Sequence, residues 1–189
     1  AEDEKDVISM RALVVYESMY GNTREIARNI ADGLRADYEV TLVPAAEATP
    51  ELVAGADLLV AGAPTHMHGL SSVVTRRMAA RAAAKDGRGL RMDQDADGAG
   101  LPEWLKDLGH WDGLAAAFDT RINSVPAITG RASRAIARLL KRHGYRLVAA
   151  PQSFLVSWET TLLDGEADRA RRWGMTIGAA SKTYLPAHA

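Results

Sequence analysis

The sequence predicts an α/β fold: a five-stranded parallel sheet in the order 2-1-3-4-5, with helices on both faces. Three observations carry that expectation. Short, nearly continuous apolar runs recur along the chain, as strands buried on both faces require. Helical patterns lie between them, so strand and helix alternate five times, which points to right-handed crossovers. One run alternates instead of staying apolar, and it is second in sequence, which suits an edge strand.

The continuous runs are "ALVVY" (12–16), "DLLVAGAP" (57–64), "LAAAF" (114–118) and "RLVAA" (146–150). The alternating one is "YEVTLV" (38–43), with Tyr38, Val40 and Leu42 on one side. After the first strand, Ile26, Ile30 and Leu34 form a helical stripe, preceded by Asn22 with Glu25 three residues on, a capping-box arrangement. Leu101, Trp104, Leu105 and Leu108 form a second stripe, and Ala132, Ile136, Leu139 and Leu140 a third that Gly144 ends. Ala167, Ala170, Trp173 and Ile177 form the last. The stretch "AKDGRGLRMDQDADGAG" (84–100) is too polar and glycine-rich for core and reads as an insertion. With 101–109 as the crossover helix, residues 72–100 leave from the ligand end of the third strand and are expected to form a lid. With 72–84 as the crossover, the excursion lies at the opposite end.

Composition bounds the function. At 189 residues the chain is expected to hold one domain over 10–189, with 1–9 a polar tail or expression remnant before Met10. Apolar residues at 47% and charged ones at 25% are ordinary globular proportions, which argues against disorder. A formal charge of −1 gives no field to attract nucleic acid. No apolar run approaches the roughly 20 residues that cross a bilayer. The absence of cysteine excludes disulfides, thiolate catalysis and Cys-ligated metal, and a cytoplasmic location is compatible with it.

In a sheet of this order, ligands sit beyond the carboxyl ends of the strands, where the first and third diverge. The loop there reads Ser18, Met19, Tyr20, Gly21, Asn22, Thr23 and opens a helix. Unpaired N–H groups at a helix start attract anions, and hydroxyls, an amide and a glycine around them make a phosphate cradle. A nucleoside-triphosphate loop would carry lysine where Asn22 and Thr23 are followed by Arg24, so one terminal phosphate monoester fits better.

Over some seventeen residues, "VVYESMYGNTREIARNI" resembles the flavodoxin phosphate-loop signature, with Ser18, Gly21, Thr23, Ala27 and Ile30 at matching spacings. "GAPTHMHG" (62–69) resembles that family's loop beside the isoalloxazine ring, which brings in Pro64, Thr65, His66, Met67, His68 and Gly69. "FDTRIN" (118–123) is a weaker match to its other ring loop, with Phe118, Asp119, Thr120 and Arg121. The resemblance covers about residues 10–70 and 101–183. It implies a flavodoxin-like three-layer sandwich that binds flavin mononucleotide (FMN) without a covalent bond and uses it for electron transfer.

The sequence also departs from that family. Its ring loops carry no Trp or Tyr to clamp the flavin, and Arg121 would favour a negatively charged reduced ring. Family carriers are commonly acidic, whereas here no Asp or Glu occurs from Thr120 to Trp158. The basic helix 130–143 would dock an acidic redox partner, reductase or acceptor, although a plainly solvated face is the simpler reading. "DQDADG" (93–98) starts like a calcium loop but meets Trp104 at its twelfth position instead of Glu, and a solvated acidic loop fits better. His66 and His68 lack a nearby carboxylate to help them hold metal.

Rivals on the same sheet order lack their own residues. A phosphorylated receiver needs an Asp ending the third strand, and Ala63, Pro64 and Thr65 stand there. A low-molecular-weight tyrosine phosphatase needs a cysteine. Dinucleotide binding needs a G-x-G-x-x-G after the first strand. The expected function is an electron carrier between protein partners, in which no side chain serves as a general acid or base. The alternative is an FMN-dependent NAD(P)H oxidoreductase acting on a quinone or similar small acceptor.

Overall fold

A computed structural model of the chain describes residues 10–65, 69–70, 93, 100–125 and 129–184. The strands are β1 (Arg11–Tyr16), β2 (Glu39–Pro44), β3 (Leu58–Pro64), β4 (Leu114–Ile122), β5 (Arg146–Leu147) and β6 (Gln152–Val156). The helices are α1 (Asn22–Leu34), α2 (Pro50–Ala54), α3 (Leu101–Asp107), α4 (Ala132–Arg142) and α5 (Glu166–Lys182), and a 3₁₀ turn spans Ala45–Glu47. The named strands pair in parallel, in the order β2-β1-β3-β4-β5, with β6 further along the same side of β4. The order 2-1-3-4-5 is the one the apolar patterns predict.

Alternation along each strand builds two cores. β1 sends Ala12, Val14 and Tyr16 to one face, where α1 supplies Ile26, Ile30 and Leu34 and α5 supplies Ala170 and Ile177. Leu13 and Val15 face the other way, onto Leu101 and Leu105 of α3 and Ile136 and Leu140 of α4. Tyr38, Val40 and Leu42 join the first core as expected for an edge strand.

Three local expectations are corrected. The capping box is absent: Gly21, not Asn22, is the N-cap of α1, its φ is 90°, and Glu25 binds Asn29 Nδ2. The fourth strand runs four residues past Phe118, because Asp119 to Ile122 find partners on β6. The fifth strand is broken. Leu114 faces Arg146 but Phe118 faces Gln152, so the register slips by two residues around Pro151, which has no N–H to give the ladder. The helix at Pro50–Ala54 was not foreseen; Thr49 Oγ1 accepts from Leu52 N at 3.4 Å to start it.

Candidate functional site

The chain turns from β1 into α1 through a loop that side chains hold. Gly21 takes the left-handed conformation there, which a side chain would strain. Its N–H donates to Ser18 Oγ at 3.1 Å, and Ser18 itself is buried. Thr23, one residue into the helix, is buried with its Oγ1 2.7 Å from Thr120 Oγ1 of β4. In such a pair one O–H donates to the other hydroxyl, and the second remains available for another acceptor. Asn22 Nδ2 reaches across to donate to Thr160 O at 2.7 Å.

These contacts surround a cavity of about 210 Å³ at the carboxyl ends of the strands. Met19 and Tyr20 of the first loop and Asn22 and Thr23 of α1 wall it, with Pro64 at the end of β3, Thr65 just past it, and Thr120 and Arg121 of β4. The first loop, the end of the third strand and the extended fourth strand are thus brought together at the switch point, where ligands of such sheets bind. Residues 14–87 match the flavodoxin family model.

The chain has a flavodoxin-like fold.

Solved structures agree on the fold. An archaeal flavodoxin superposes with a TM-score of 0.64 at 18% identity, covering 92% of this chain and 99% of the other. The flavodoxin WrbA-like protein from Agrobacterium tumefaciens gives 0.59 at 21%, covering 94% and 100%. Rubredoxin oxygen:oxidoreductase from Desulfovibrio gigas gives 0.60 at 19%, and there 94% of this chain covers 37% of the larger protein. At such identities the likeness is one of fold. No curated protein sequence matches the chain.

Not every expected residue reaches the cavity of this flavodoxin-like fold. Phe118 is fully buried in the core, edge-on to Phe154 at 6.3 Å and to Trp173 at 6.5 Å between centroids. It shares a face of β4 with Thr120 but lies two residues deeper, where Phe154 and Trp173 of α5 enclose it, and it does not line the cavity. Asp119 is also fully buried, and its Oδ2 accepts from Ser133 N at 2.7 Å. Thr65 Oγ1 accepts from Ala132 N at 2.9 Å. Together they cap α4, whose own N-cap residue Arg131 makes no side-chain cap bond. His66, Met67 and His68 lie outside the described residues, and no described residue stands within 4 Å of a Cβ built on Gly69. The expected lid falls on 72–100, of which Asp93 and Gly100 are described.

Ile122, Val156 and Thr160 complete the cavity and were missed. The apolar run that resumes after Pro151 was the available signal for Val156. Thr160 had none. It is the non-glycine residue with positive φ (61°) among the described residues, a costly conformation for a β-branched side chain.

Arg121 supplies the charge on the cavity wall. Its Nη1 donates to Ser124 O at 2.7 Å and Ile122 O at 3.2 Å, and no described residue forms a hydrogen bond with its Nε. Burial pulls its guanidinium pKa down, and the nearby Asp119 carboxylate opposes that. Burial also pushes the Tyr20 phenol up. Among the described residues no group of three His, Cys, Asp or Glu could hold a metal, and no helix is long and apolar enough to cross a membrane.

Proposed function

We propose that the chain binds FMN without a covalent bond and carries electrons between protein partners. The observation that carries this reading is the Thr23–Thr120 hydroxyl pair, set at the first turn of α1 where the glycine loop opens onto the cavity. The first-turn N–H groups of α1 have no intrahelical acceptor, and with Ser18, Asn22 and Thr23 they would hold the phosphate. Pro64, Thr65, Thr120 and Arg121, with the apolar Ile122 and Val156, would receive the flavin end. The bound flavin would supply the one- or two-electron chemistry, and the residues around it would select which redox state is stable.

Arg134, Arg138 and Lys141 recur on one side of α4 and border a groove with Leu147 and Pro151. That cationic face fits an acidic redox partner, and the cytoplasm remains the expected compartment. A second reading, an FMN-dependent NAD(P)H oxidoreductase acting on a quinone, is favoured by one feature: the Arg121 cation on the cavity wall, which would stabilise a negatively charged reduced ring.

The test is titration of FMN into purified protein followed by fluorescence, then stepwise reduction followed by absorbance and electron paramagnetic resonance. One-to-one binding with a paramagnetic species at half reduction supports the carrier. One-to-one binding with direct two-electron reduction, and turnover of NAD(P)H with benzoquinone, supports the oxidoreductase. Failure to bind FMN sinks both.

A further inference from the structure

Asp93 belongs to the polar stretch that neither the sheet nor the proposed function uses. Its N–H donates to Met19 O at 2.7 Å, which fastens it to the β1–α1 loop. Its side chain has no exposed surface, and a methyl built on Gly21 would lie 4.0 Å from its Oδ2. Arg24 Nη1 stands 3.1 Å from Oδ1, yet neither carboxylate oxygen accepts a well-formed hydrogen bond from a described residue. A buried carboxylate with one charge partner and no such bonds among the described residues is poorly compensated for its lost hydration. It stands beside the same glycine and the same helix start that would hold a phosphate.

We propose that Asp93 is a resident anion that weakens the loop's grip on the flavin phosphate and so keeps the cofactor exchangeable. This rests on the FMN reading above. The carboxylate repels the phosphate across a short distance. The residue therefore sets how strongly the site prefers a phosphorylated flavin over an unphosphorylated one.

The experiment compares FMN and riboflavin dissociation constants, and FMN release rates, for the wild type, Asp93→Asn and Asp93→Ser. Both substitutions keep the backbone donor to Met19, and the serine variant guards against a local packing fault in the first. Asp93→Asn and Asp93→Ser are expected to bind FMN about tenfold to a hundredfold more tightly and to release it more slowly. Riboflavin affinity is expected to stay within about twofold. An unchanged or reduced FMN preference in both variants overturns the role of Asp93 while leaving FMN binding intact. Absence of FMN binding in all three proteins overturns the role and the FMN reading together.

Discussion

Helices α1 and α5 touch backbone to backbone, and Gly174→Ala tests how much of the fold depends on that approach. A Cβ on Gly174 would stand 2.3 Å from Ile30 O, and one on Gly33 would stand 2.1 Å from Arg171 O. An ordinary contact begins near 3.4 Å, so the helices must part by about 1 Å. Alanine in place of glycine inside a helix normally adds about 0.8–1 kcal/mol of stability. Overpacking costs about 1–3 kcal/mol, and a helical carbonyl cannot swing aside as a side-chain tip can. The balance is a net loss of up to about 2 kcal/mol. Gly178→Ala is the internal control, because its nearest neighbour is the flexible end of Leu34, Cδ2 at 3.3 Å. That variant should be neutral or gain up to about 1 kcal/mol. Urea unfolding followed by far-UV circular dichroism, compared at equal m-value, reads the difference. Gly174→Ala as stable as Gly178→Ala would refute the close approach, and with it the placement of the helix that carries Asn22 and Thr23.

Thr23→Val keeps the side-chain shape and removes one hydroxyl of the buried pair. Apo-protein stability should fall by about 1 kcal/mol and FMN affinity by about 1.5–3 kcal/mol, with riboflavin affinity kept; an unchanged FMN dissociation constant sinks the phosphate assignment. Arg121→Gln should lower the flavin midpoint potential by tens of millivolts, on the order of what one nearby charge supplies, and a redox titration showing no shift or a rise would place the guanidinium's field away from the flavin. Burial pushes the Tyr145 phenol from 10.0 up to about 12, so the folded state resists ionisation that the unfolded chain undergoes. That contribution is intact below pH 10 and is lost as pH rises toward 12. Tyr20 and Tyr38 are raised in the same direction, so urea midpoints should show Tyr145→Phe flattening the alkaline limb without abolishing it.

Much of the architecture was legible because burial on a sheet or helix leaves a periodic trace in the chain. Runs such as "ALVVY" and "DLLVAGAP", the alternating "YEVTLV" and the stripe through Ile26, Ile30 and Leu34 identify their elements with no partner in view. The phosphate-type loop was legible for the same local reason: a glycine and hydroxyls stand between a strand and a helix. What each side chain does there depended on residues far away in sequence. Asn22 looked like a cap, but the left-handed Gly21 caps α1, and the Asn22 amide donates to Thr160, 138 residues on. Phe118 looked like a ring contact, but it lies two residues deeper in β4 than Thr120, and the neighbouring Phe154 and Trp173 hold it in the core. Asp119 looked like part of a ligand loop, but β6 extends β4 past it, and its carboxylate caps α4. Asp93 looked like the start of a solvated acidic loop, and tertiary packing put it against the anion end of α1. Periodicity records which face of an element is dry. Register and the meeting of distant segments decide which atoms share that dry space, and the chemistry of the site resides in those pairings.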